Sequence, residues 1–155
     1  MTSEMHILSF AEKLRAGGGG RTEIRYWDYL VNGTSLRELL RVGDFIPPFG
    51  WLTPAADTRF RGMLTRKVES DIPSRRTPLF VCPECADYGC GVFTAVVERD
   101  GDDIVWHSFG MERDYDGTLD PVAEHLQTRF VFDCRSYWLA FSSLAIFPRR
   151  PLSAP

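Results

Sequence analysis

Three cysteines within nine positions are the side chains best placed to do chemistry: Cys82, Cys85 and Cys90, in the stretch LFVCPECADYGCG. Three chemistries compete for them. In a zinc knuckle, Cys-Pro-x-Cys turns the backbone tightly, presents two thiolates to one ion, and leaves Cys90 to supply a third. His107, His125 and Cys134 are the soft candidates for the fourth place, and His107, on a neighbouring expected strand, fits best. A redox pair instead needs the first cysteine to cap a helix, whose dipole lowers the thiol pKa. The glycines at 89 and 91 stand where that helix would start. In the third reading the sulfurs are structural thiols in a tight strand-loop-strand connection, with Gly89 and Gly91 supplying unusual backbone angles. All three remain open at this level.

Charge gives a second set of candidates. The net charge is −3, but nine acidic residues lie between Glu98 and Glu124 against Arg99 and Arg113. Asp100, Asp102, Asp103, Glu112, Asp114, Asp116 and Asp120 are the expected contacts for a basic partner protein. Arg59, Arg61, Arg66, Lys67, Arg75 and Arg76 form a basic stretch, yet the chain as a whole is acidic. Nucleic-acid binding draws most of its affinity from phosphate neutralisation, so it is not expected here. The run ERDYDG resembles the start of a calcium loop through Glu112, Asp114, Asp116 and Gly117, but its closing acid falls on Ala123 and Pro121 intrudes. No Gly-x-Ser-x-Gly elbow, phosphate loop or His-Glu-x-x-His is present, so no catalytic constellation is assigned.

The elements that must hold these residues can be read from periodicity. HILSFAEKLRA has helical spacing and is stopped by Gly17 to Gly20, which predicts an N-terminal helix and glycine tether over 1–20. TEIRYWDYLV followed by Asn32-Gly33 predicts a strand and turn. The box SLRE, from Ser35 to Glu38, opens a short helix that Gly43 stops. Thr53-Pro54 caps a helix to about Thr65. TPLFVC is a strand that feeds the cysteines. GVFTAVVERDGDDIVWHSFG is a hairpin over about 92–109, turned by RDGD. MERDYDGTLDP is an acidic loop, RFVFD is a strand, and Asp133 caps a helix with Tyr137, Trp138, Phe141 and Leu144 on one stripe.

The expected fold class is α+β, a single domain over 21–147 with a mainly antiparallel sheet and flanking helices, ending in a frayed tail over 148–155. With 155 residues, 44% of them hydrophobic, the chain can bury one core of roughly 70% of its unfolded surface. No leader or spanning run is visible, and a soluble cytoplasmic location is expected.

The segments WDYLVNGTSLRELL, LFVCPECADYGCG and FVFD followed by Tyr137 resemble a family of small uncharacterised proteins of high-GC bacteria. The similarity spans roughly Ile24 to Phe141, and its most specific element is Cys-Pro-x-Cys followed by Gly-Cys-Gly. Some members are labelled oxidoreductases, and the resemblance implies such an activity, although no nicotinamide or flavin fingerprint is found in this chain. A fainter similarity links it to immunity proteins of bacterial toxin systems. The functional expectation is a non-enzymatic protein-binding module, most concretely an immunity or inhibitor protein meeting a basic toxin through its acidic surface. The alternative is a small zinc- or thiol-dependent enzyme centred on Cys82, Cys85 and Cys90. One structural zinc ion is the only cofactor expected, and no membrane partner is expected.

Overall fold

A computed structural model describes residues 4–113 and 118–148. They form an α+β domain in which two antiparallel sheets share one aromatic core. The first sheet holds β1 (Leu8–Arg15), β2 (Ile24–Val31) and β3 (Thr34–Ser35) in that order. The second holds β4 (Thr77–Val81), β5 (Val92–Asp100), β6 (Asp103–Arg113) and β7 (Thr118–Pro121), with β8 (Phe130–Asp133) also paired to β6. β6 is the spine of that sheet. One of its edges carries β5, while the other is shared by β8 on Asp103 to Trp106 and β7 on Gly110 to Arg113.

The expected N-terminal helix is instead strand β1. Its residues pair with β2 in continuous register from Leu8↔Val31 to Arg15↔Ile24. Leu8 and Phe10 satisfy an alternating pattern as well as a helical one, and the pairing of eight residues with β2 decides between them. Gly17 to Gly20 are not a tether either. They make the β1–β2 turn, closed by Gly18 and Arg21 through reciprocal backbone hydrogen bonds, with Gly18, Gly19 and Gly20 at φ of 108°, 60° and 83°. The N-terminal segment therefore belongs to the domain, and Phe10 packs against Tyr29, Phe49 and Phe141.

The remaining elements keep closer to the sequence pattern. α1 (Leu36–Leu40) and α2 (Pro54–Leu64) begin where expected, and Thr53 accepts a hydrogen bond from the Ala56 amide. Ser35 does not cap α1: its hydroxyl donates to the buried Asp28 carboxylate at 2.7 Å. The acidic segment from Met111 on is not a loop throughout, because Met111 to Arg113 continue β6 and Thr118–Pro121 form β7. α3 (Cys134–Ser142) is capped by Asp133, which accepts from the Ser136 amide. Tyr137, Phe141 and Leu144 are buried, but Trp138 is 39% exposed, since the next residue on a helix turns about 100° off the stripe. Of the expected frayed tail, residues 149–155 lie outside the described residues.

Trp106 sits at the centre of the core. Its ring meets Tyr29, Phe132 and Tyr137 edge to face, with centroids 5.6, 5.1 and 5.9 Å away. Tyr29 belongs to the first sheet and Trp106 to the second, so this contact joins them. The polar atoms of these core rings are paired: Tyr29 donates to the Leu79 carbonyl at 2.8 Å, and Tyr137 donates to the Leu64 carbonyl at 2.5 Å while accepting from Trp106 Nε1 at 3.1 Å. Tyr137→Phe would orphan a buried N–H and a buried C=O together. Each such loss costs ~1–3 kcal/mol, so urea unfolding should show a stability loss of about 2–6 kcal/mol. A change below about 0.5 kcal/mol would remove Tyr137 as the link between α2, α3 and β6.

Candidate metal centre

β4 delivers the chain from the core to the cysteines. Leu79, Phe80 and Val81 are fully buried, Cys82 is half-buried, and Cys85 and Cys90 are exposed. Between them the backbone folds back: Ala86 N donates to Cys82 O at 2.8 Å, and Ala86 takes a φ of 56°. Next comes a single 3-10 turn over Tyr88–Cys90, capped by Asp87, whose carboxylate accepts from the Gly89 amide. Gly91 leaves that turn at φ 95°, a conformation that side chains disfavour, and β5 begins. This path places the three sulfurs within 4.8 Å of one another. Zn–S bonds of about 2.3 Å at tetrahedral angles would set sulfurs about 3.8 Å apart, so the trio lies within side-chain adjustment of such a site, with the Cys85–Cys90 pair opening to admit the ion. The sulfurs of Cys85 and Cys90 are in direct contact, at 2.9 Å.

Two anchors tie this knuckle to the domain. Glu84, between the first two cysteines, accepts from Thr22 N at 3.0 Å, Thr22 Oγ1 at 2.7 Å and Arg15 Nη1 at 2.8 Å. Arg15, with only 5% of its side chain exposed, also holds Asp44 at 2.9 Å. The second anchor is Tyr88, whose hydroxyl donates to Asp71 at 2.7 Å and whose ring packs edge-on against Phe60 of α2.

The thiols do not titrate independently. Burial pushes Cys82 up, but hydrogen bonds from the backbone of Glu84 and Cys85, and from the thiols of Cys85 and Cys90, outweigh it and leave its pKa lowered. Cys90 is pushed up to about 12, first by its hydrogen bond to Cys85, then by burial and by charge on Cys82 and Cys85. The Cys82 thiolate is thus favoured and that of Cys90 opposed. A dication removes that opposition.

The other expected site residues lie elsewhere. His107 faces Val96 across the β5–β6 ladder, and its ring nitrogens engage Glu98 and Ser108, each at 2.8 Å. It does not join the sulfurs. Cys134 is buried at the start of α3, where burial raises its thiol, and His125 is exposed in a 3-10 turn over Glu124–Leu126. Among the described residues no fourth His, Cys, Asp or Glu completes the cluster.

Nor do the five described acidic candidates make one surface. Asp100, Asp102 and Asp103 sit at the tip of the β5–β6 hairpin. Asp120 is near its other end, paired to Arg113 at 3.1 Å. Glu112 points inward, 7% exposed, accepting from Ser74 and Thr94 and paired with Arg76 at 3.3 Å. Asp114 and Asp116 lie outside the described residues, as does most of the run that resembled a calcium loop. Sequence reasoning missed Arg15 and Glu84. A glutamate inside a Cys-x-x-Cys motif was the available signal, but its partner is 69 positions away.

Compared with protein families, with curated proteins and with solved structures, the chain shows no match. Among the described residues no helix is long and apolar enough to cross a membrane.

The Glu84 anchor has a pH signature. Its carboxyl is lowered from 4.5 to about 2, first by the Thr22 amide, then by the Thr22 hydroxyl and Arg15. A carboxyl depressed on folding contributes its stability above its ordinary value and loses it as pH falls through the folded one. Stability should therefore drop between about pH 4.5 and about pH 2 less steeply in Glu84→Gln than in the wild type. Parallel acid limbs would contradict the anchor.

Proposed function

We propose that this protein binds one zinc ion through Cys82, Cys85 and Cys90, and that the ion fixes the connection between β4 and β5. The single observation supporting this is three sulfurs converging within 4.8 Å on a connection anchored from two sides. Thiolates favour zinc among the common divalent ions, and each must shed its proton to bind. The fourth place would fall to water or to a group from outside the described residues. The aromatic core contains none of these three cysteines, so the domain would keep its fold when the ion leaves.

Elemental analysis of the purified chain should find one zinc per molecule. Cys82→Ser, Cys85→Ser and Cys90→Ser should each weaken binding by at least about 100-fold, while Cys134→Ser should not. At zinc about 1,000-fold above Kd the ion should add about 4 kcal/mol, or about 8–16 °C in Tm. Affinity should fall as pH drops from about 8 to about 6, because protons compete for the sulfurs. No zinc, or zinc that survives all three substitutions, would refute the reading.

A second reading is supported by the hairpin tip. Asp100 and Asp102 are exposed there, the Asp102 carbonyl is held by the Cys134 amide at 2.9 Å, and Asp103 pairs in register with Asp133. This rigid acidic corner would suit a basic protein partner, an immunity or inhibitor role being the most concrete form. Complex formation should then slow by about 10-fold or more from low to physiological salt, and in Asp100→Asn/Asp102→Asn. A partner captured equally well at both salt concentrations would count against it.

A further inference from the structure

We propose that the cysteine centre is an oxidative switch, in which a hydroperoxide joins Cys85 to Cys90 and expels the zinc. This switch rests on the zinc site proposed for the three sulfurs, and it specifies which two of them join and how the ion is lost.

The geometry singles out that pair. Their sulfurs are 2.9 Å apart, inside the about 3.5–4.0 Å at which two carbon atoms rest, although sulfur is the larger atom. Both residues are exposed, whereas Cys82 is half-buried. The backbone between them is already closed by the turn at Tyr88–Cys90 and by the left-handed Ala86, so the bond to about 2.05 Å needs only a short side-chain approach. Cys82 and Cys85, by contrast, are the two that Cys-Pro-x-Cys spacing alone would have paired.

The chemistry balances in two steps. One exposed thiolate attacks hydrogen peroxide, the O–O bond breaks, and the products are a sulfenic acid and hydroxide. The second thiolate then attacks the sulfenic sulfur, the S–S bond forms, and a second hydroxide leaves. Two electrons pass from the sulfurs to the peroxide. Cys82 is left as the last thiolate, too few ligands to retain the ion, which leaves as Zn2+. A small thiol reverses the change by exchange, itself becoming the disulfide.

The test uses the full chain loaded with zinc, treated with hydrogen peroxide, with released zinc tracked by a colorimetric chelator. Zinc release should match disulfide formation one to one. Cleavage after Glu84 and Tyr88, without reduction, should leave Cys82 as a free alkylated peptide and the fragments bearing Cys85 and Cys90 joined. Cys82→Ser should form the same disulfide without zinc, Cys90→Ser should not form it, and dithiothreitol with added zinc should restore the loaded form. Zinc retained after peroxide, or a dominant crosslink through Cys82, would overturn the switch while leaving the zinc site intact. A chain that carries no zinc before peroxide is added would instead refute the site, and the switch with it.

Discussion

Three sulfurs held within 4.8 Å of one another repel as thiolates, and a cation sharing the space would offset that repulsion. That electrostatic constraint governs how the rest of the protein is understood. The opposed ionisation of Cys82 and Cys90 shows its effect when only protons are available. Arg15, which reaches the connection through Glu84, is paired with Glu84 and Asp44 rather than with a sulfur. A positive charge brought from outside, as in the proposed zinc site, would stabilise the trio as thiolates.

Holding the sulfurs close is the work of the surrounding domain. β4 is buried along its whole length, and the Trp106 cluster fixes it against both sheets, so Cys82 begins from a rigid point. Glu84 and Tyr88 then tie the exposed part of the connection to the β1–β2 turn and to α2. The glycine-rich turn at Gly17 to Gly20, remote in sequence, thereby becomes part of the site's support. Loss of an ion from such a place leaves a scaffold still folded around the Trp106 core. This separation of core from centre would permit the proposed exchange between a metal-bound and a disulfide form.

The local parts of this arrangement were legible in the sequence. Strand β4, the β5–β6 hairpin, the caps at Thr53 and Asp133 and the cysteine trio each depend on residues close together, so turn chemistry and periodicity found them. The failures share one cause: tertiary contacts that override a local pattern. β1 reads as a helix because Leu8, Phe10, Ala11 and Leu14 fit that period, and only pairing with β2 overrules it. Ser35 reads as a cap until Asp28 takes its hydroxyl. Glu112 reads as surface charge, yet Arg76, Ser74 and Thr94 neutralise it inside. His107 was the natural fourth ligand by proximity in sequence, but the ladder sets it opposite Val96 and beside Glu98.

The most direct measurement is zinc-edge X-ray absorption on the metal-loaded chain, which counts the sulfurs around the ion. Three sulfurs at about 2.3 Å with one oxygen or nitrogen at about 2.0–2.2 Å is the expected first shell. A shell without sulfur, or one completed by a second chain's cysteines, would contradict a centre built from Cys82, Cys85 and Cys90 of a single molecule.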